Sequence, residues 1–267
     1  MNRVEQAYNG MPEFEWGRLE RHRVEYGLTM RALAEHLPPA PARVADVGGG
    51  VGRYAIELAR RGYDVTLLDI ADECLAFARQ KAAEAGVELA GIVKADARDL
   101  SMFANQSLDA VLLMGPLYHL LEHGQRLAAV REAWRVLRPG GRVFAAFVTP
   151  YIIVQSALVR DIEYIVRCPE ELESILTTGV FRPKVVRNFP DAWFARPDEV
   201  APLMSEGGFA QRALLNCEAL ARELEPKVNA APDDLHQKWM DLLYRLSRDP
   251  SILGAGGHLL YVGERTE

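Results

Sequence analysis

The ten residues VADVGGGVGR, Val44 to Arg53, set the reading of the whole chain. A short apolar run carries an acid, Asp46, and passes into a turn that is almost entirely glycine. Beyond the turn, Ala55, Leu58 and Ala59 recur at helical spacing until Gly62, a residue suited to a left-handed helix cap. Strand, glycine turn and helix in that order predict an α/β unit whose turn lets backbone pass close to a ligand, where a Cβ would clash.

The same alternation continues outward from this stretch. Val65 to Leu68 reads as a second strand, and a helix from about Ala71 presents Leu75, Ala78 and Ala82. A third strand follows near Ala90 to Lys94 and a fourth at Asp109 to Leu113. Leu127, Val130, Trp134 and Leu137 mark an amphipathic helix, which Pro139 and Gly140 are expected to end before a strand at Arg142 to Val148. Repeated βαβ units predict a doubly wound, Rossmann-like α/β fold with a mostly parallel sheet and helices on both faces.

One domain over 1–267 is expected, with three additions around the core at 43–149. Residues 1–42 read as a helical cap ending in Pro38, Pro39 and Pro41. Residues 150–197 read as a lid, in which Leu158, Ile162 and Ile165 predict another helix. Residues 198–267 complete the core with strands at 213–216 and 258–263 and an inserted helix at 233–248, where Leu235, Trp239, Leu242 and Leu246 share a face. Additions of this kind cap the carboxyl edge of a sheet, where open α/β folds bind their ligands.

Bulk properties narrow the function. A formal charge of −6 supplies no broad basic field for phosphates, so nucleic acid is not an expected partner. Three dispersed cysteines, Cys74, Cys168 and Cys217, suggest neither a disulfide framework nor a paired-cysteine zinc site. With no apolar stretch near the roughly 20 residues of a membrane span and no signal-peptide layout at the start, a cytoplasmic location and no membrane partner are expected.

Two further acids accompany the glycine turn. Asp69 closes the second strand 17 residues after Gly52 and is positioned to accept from ribose hydroxyls. Asp96, after the third strand, can meet an adenine amino group. At this point the chain resembles the class I S-adenosylmethionine-dependent methyltransferases. Asp46, Gly48, Gly50 and Gly52 match their acidic, glycine-rich first motif, Asp69 their ribose acid, Asp96 with Ala97 their adenine pair, and LRPGGRVF, Leu137 to Phe144, is a common phrase of the family.

The resemblance spans about Arg43 to Val148. It implies S-adenosylmethionine as cofactor, S-adenosylhomocysteine as product, and a seven-stranded sheet ordered 3-2-1-4-5-7-6 with the last strand antiparallel. It also implies that Gly49 joins the cradle for the methionine part and that Ile70 borders the site.

A nicotinamide dehydrogenase shares the turn and the second acid, but its third small residue would fall at Arg53, whose long side chain would hinder helix and strand packing. A cofactor-binding module without catalysis is the other alternative. Methyl transfer from a sulfonium is an in-line displacement, needing an aligned acceptor and sometimes a base. His119, after the fourth strand, is the candidate base, with Tyr118 assisting through its hydroxyl. Met114 could pack on the cofactor, and Tyr8 and Arg21 of the cap could reach it.

Tyr151, Tyr164, Phe181, Trp193 and Phe194 of the lid could line an acceptor pocket or fill core. GPLY, from Gly115, lacks the polar first residue and second proline with which amino-methylating nucleic-acid enzymes bracket a base. No metal is implied, since His22 and Glu25 at i and i+3 find no third ligand in the sequence. The expected partner is a small-molecule methyl acceptor, and the chain a monomer or homodimer.

Overall fold

The computed structural model describes residues 3–183 and 189–267, so residues 1–2 of the expected cap and 184–188 of the expected lid lie outside the described residues. Three helices open the chain, α1 (Arg3–Asn9), α2 (Pro12–Arg21) and α3 (Arg23–His36). The core follows as β1 (Arg43–Val47), α4 (Arg53–Arg60), β2 (Asp64–Asp69), α5 (Asp72–Glu84), β3 (Gly91–Lys94), β4 (Leu108–Leu113), α6 (His123–Val136) and β5 (Leu137–Val148). A lid region holds α7 (Tyr151–Arg160), α8 (Tyr164–Arg167), α9 (Pro169–Thr178), β6 (Val180–Phe181) and β7 (Ala192–Trp193). The chain returns through α10 (Pro197–Glu206), β8 (Phe209–Asn216), α11 (Glu225–Asn229), α12 (Asp233–Leu246) and β9 (His258–Arg265).

The seven-stranded sheet runs β3-β2-β1-β4-β5-β9-β8, and β9 is antiparallel to both neighbours. Two extra two-residue strands, β6 and β7, pair only with each other, so the order is the expected one once they are set aside. The period-two pleat divides the core between the two faces. Val111 and Leu113 of β4 join one apolar cluster with Phe147 and Tyr261, while Ala110 and Leu112 join the other with Leu67 and Phe144. Such large, fully buried side chains each contribute about 1.5–3 kcal/mol of transfer free energy.

Three boundaries differ from expectation. Strand β5 begins at Leu137, which pairs with Leu108, and its ladder with β4 resumes at Arg142 opposite Ala110 after an irregularity that takes in Pro139 to Gly141. Strand β8 is longer than expected, running from Phe209. The expected lid helix breaks at Asp161, and Leu158, Ile162 and Ile165 are 64–67% exposed, turned away from the protein. Helical spacing was legible there, but the surface it faces was not.

The cap is fastened by both apolar and aromatic contacts. Val24 and Leu28 of α3 pack with Ala219, Ala221, Met240 and Leu243. Trp16 of α2 packs with Val51, Ala71 and Cys74, and the Arg53 guanidinium lies over its ring at 4.4 Å. Arg53 thus points out of the helix and strand packing into the cap. Among the described residues, no helix is long and apolar enough to cross a membrane.

Candidate active site

The carboxyl ends of β1 and β4 bring two loops into direct contact. Gly48, Gly50 and Gly52 all hold positive φ, between +55° and +77°, which L side chains rarely adopt. A Cβ on Gly48 would stand 2.6 Å from Pro116 Cδ, and one on Gly115 would stand 2.7 Å from the Gly48 carbonyl oxygen. Glycine at 48 and 115 is therefore what lets the glycine turn and the loop after β4 touch. The same contact explains why position 115 cannot carry the polar side chain of the nucleic-acid enzymes.

Asp46 lies beneath this turn, fully buried, with neither carboxylate oxygen in a well-formed hydrogen bond among the described residues. Burial, and then repulsion from Asp69, lifts its carboxyl to about 7, and the poorly aligned Ala55 amide only partly opposes them. Asp69 is better supported. Its Oδ2 accepts from the Gly50 amide at 2.8 Å and its Oδ1 from the Ala71 amide at 2.8 Å. Burial raises its pKa, and these amides together with that of Ile70 moderate the rise. Asp69 thus pins the turn to the end of β2 while each oxygen keeps a lone pair for a further donor.

Asp96 sits on the outer rim, where Arg98 holds both its oxygens and keeps its carboxyl below the usual range. Ala97 beside it is buried. Met114 packs partly buried against the core on the Leu67 side of the sheet.

The loop after β4 places His119 under the cap. Its Nδ1 lies 2.8 Å from the Asp191 carbonyl oxygen, which can only accept, so Nδ1 carries the proton. Burial presses the imidazole down to about 4, against the pull of that carbonyl, so the ring is neutral and Nε2 is bare near neutral pH. Tyr8 of α1 donates its hydroxyl to Nε2 at 2.8 Å.

Tyr118, expected to assist through its hydroxyl, is held differently. The Tyr118 hydroxyl donates instead to the Met114 carbonyl at 3.2 Å, and its ring stacks on Phe189. Tyr8, expected among the cofactor contacts, is the hydroxyl on His119. Arg3 ties α1 to the same lid segment through Asp191 at 2.9 Å.

The cap also contributes charges that the sequence did not single out. Arg18 of α2, not Arg21, faces the site, gripping Glu25 of α3 through two nitrogens at 2.8 and 3.0 Å. Arg21 lies on the outside over the Phe14 ring and donates to the Phe14 carbonyl. Glu25 is held down to about 2, because Arg18 and His258 outweigh the cost of its burial. Glu15, near Arg18 and Asp69, is raised by burial.

His22 and Glu25 do not share a helix face as supposed. His22 stands at the break before α3 and bonds Glu225 at 3.0 Å. A different trio converges among the described residues: Glu25, Glu218 and His258 offer ligand atoms within 4.8 Å of one another. Arg18 on Glu25 and Arg222 on Glu218 already neutralise its carboxylates. The available signal for these residues was the spacing of Glu15 and Arg18 on one helix face and the position of His258 at the head of the last strand, on the carboxyl edge of the sheet.

Comparison with known proteins follows this geometry. A family model described as a methyltransferase domain matches residues 44–141. The ubiquinone biosynthesis O-methyltransferase of Xylella fastidiosa is 30% identical over 66% of this chain, an alignment spanning 64% of its own length. The demethylmenaquinone methyltransferase of Deinococcus radiodurans is 31% identical over 71% of this chain and 76% of its own. In fold, the chain is similar to a SAM-dependent methyltransferase of Methanosarcina mazei, with a TM-score of 0.60 at 17% identity over 88% of this chain and 97% of that one. Taken with the cradle at Gly48 and the acids of β1 and β2, these matches mean that the chain belongs to the class I S-adenosylmethionine-dependent methyltransferases.

Proposed function

We propose that the chain transfers the methyl group of S-adenosylmethionine to an oxygen of a small, quinol-type aromatic acceptor. The observation that carries this reading is the fixed relay from the Tyr8 hydroxyl through neutral His119 to the Asp191 carbonyl, beside the glycine turn. The names of the Xylella and Deinococcus relatives, both concerned with quinone methylation, support the acceptor class.

The residues present fit the cofactor. Asp46 is a buried carboxylate without a well-formed partner, which a ligand ammonium nearby would return to its charged form. The turn at Gly48 to Gly52 offers backbone where side chains would clash, and Asp69 keeps acceptor capacity for a ribose. Asp96 and Ala97 would border adenine, and Ile70 and Met114 would border other parts of the cofactor. When bound, the sulfonium supplies an electrophilic methyl group.

The chain's part is alignment and proton removal. An acceptor oxygen that took up this methyl group would turn strongly acidic. A weak base then suffices. Tyr8 takes the acceptor proton as it passes its own to His119 Nε2, leaving a neutral tyrosine and an imidazolium braced by Asp191. Burial holds the Tyr8 hydroxyl well above its usual pKa, so the two transfers are concerted and no free tyrosinate forms.

Calorimetric titration with S-adenosylhomocysteine and with NAD tests the cofactor assignment. Binding of the first alone, abolished by Asp69→Lys, is expected. A folded protein with no affinity for it overturns the reading.

A further inference from the structure

The relay at His119 accounts for one oxygen of the acceptor. A second histidine stands on the same edge in the opposite electrostatic condition. His258 opens β9 and pairs in register with Val148, the last residue of β5, so its side chain belongs to the carboxyl edge of the sheet. His119 follows β4, which only β5 separates from β9 in the sheet. Arg18 lies within electrostatic reach of both the Tyr8 hydroxyl on His119 and His258, which sets the two histidines at one site.

The surroundings of His258 come from three elements. Glu218, in the loop after β8, takes its Nδ1 at 3.0 Å, and the backbone amides of Gly257 and His258 bond the other oxygen of the same carboxylate. Glu25 of α3 stands 3.7 Å from Nδ1 and is itself fixed by Arg18 of α2. Arg222 braces Glu218 at 3.4 Å and reaches Gln155 and Ser156 of α7, linking the trio to the lid. Burial alone would lower the imidazole, but Glu25 and then Glu218 outweigh it, and Arg18 opposes them only weakly, so its pKa is raised and the two carboxylates favour the protonated ring.

With Nδ1–H committed to Glu218, the remaining charged donor is Nε2–H. It has no partner among the described residues, and 22% of the side chain is still accessible. A cationic N–H clamped from behind cannot serve as a base. It can hold an anion.

We propose that His258 Nε2–H holds an ionised second oxygen of the acceptor, an aryl oxyanion, while Tyr8 and His119 serve the oxygen that receives the methyl. This deepens the methyltransferase reading and rests on it. The chain then selects aromatic acceptors with two oxygens, and the two histidines divide the work: one stays neutral to take a proton, the other stays charged to hold a negative oxygen. Glu25, Glu218 and Arg18 are positioning residues in this scheme, since they act through His258.

The test uses 4-nitrocatechol, whose visible spectrum reports ionisation, with the full chain saturated with S-adenosylhomocysteine. The probe is expected to bind in its ionised form below its own pKa. His258→Gln should weaken it at least about tenfold without changing S-adenosylhomocysteine affinity, and His258→Lys, which keeps the charge, should stay within roughly threefold. The proposal is overturned if the probe does not bind, binds neutral, binds the Gln variant equally well, or loses affinity equally in the Lys variant. It is also overturned, in favour of a metal at the same trio, if EDTA abolishes probe binding and Mn2+ restores it. Failure of S-adenosylhomocysteine to bind the unaltered chain would instead defeat the methyltransferase reading.

Discussion

The proposed cofactor end of this site is built from backbone, and the proposed acceptor end from side chains. At the first, positive-φ glycines and the amides of Gly50 and Ala71 around Asp69 do the shaping. At the second, Tyr8, His119, Arg18, Glu25 and His258 arrive from α1, α2, α3, the β4 loop and β9. The cofactor is the same for the whole family, so its cradle needs one shape, which main chain supplies with little freedom. The acceptor differs from member to member, and side chains on added helices are what can change without disturbing the sheet.

If that division is real, deletions at the two ends should separate in kinetics. His119→Gln and Tyr8→Phe should each lower kcat by roughly 100- to 1,000-fold, with S-adenosylhomocysteine affinity unchanged. The double variant should lose little more than either single one, because both act on one proton. Turnover assays with stopped-flow binding check this. Additive losses would mean that Tyr8 and His119 act separately.

At the backbone end the effect should be smaller and of the other kind. Gly115→Ala places its Cβ against the Gly48 carbonyl, which must move by several tenths of an ångström. Weakening of S-adenosylhomocysteine by roughly 10- to 100-fold is expected, about 1.4–3 kcal/mol, with kcat at saturating cofactor much less affected. Calorimetry on a variant with an unchanged circular dichroism spectrum measures it. A variant that binds normally but turns over slowly would erase the distinction between the two ends.

The division also explains what could be read in the sequence. Gly48, Gly50, Gly52 and Asp69 act locally or across one βαβ unit, so spacing along the chain encodes their geometry. Glu25 and His258 meet only because α3 folds over the far edge of the sheet, and no local pattern announces a contact across the length of the chain. Tyr118 was the natural hydroxyl for His119 as its sequence neighbour, yet the 3-10 turn at Leu117 to His119 directs that hydroxyl to its own backbone. Arg21 and Arg18 differ by less than a turn of helix, and only the packing of α2 decides which one faces inward.

Among the described residues, Asp46 is the one side chain that the backbone end buries without a well-formed partner, and it gives the finest test. Its folded pKa of about 7 lies above its ordinary value of 3.8, so the carboxyl is largely protonated in the free protein at slightly acid pH. The protonated carboxyl favours the folded state below about 4, and that advantage is lost as pH rises through about 7. A ligand ammonium bound at the turn reverses the preference and expels the proton. S-adenosylhomocysteine binding near pH 6 should therefore release up to about one proton, seen as a dependence of the calorimetric heat on buffer ionisation enthalpy, and release should fade above pH 8. Asp46→Asn should bind more weakly and release none. Equal proton release from the Asn variant would assign the titration to Asp69 or Glu15, the other acids that burial raises at this end, and would leave Asp46 a purely structural acid beneath the turn.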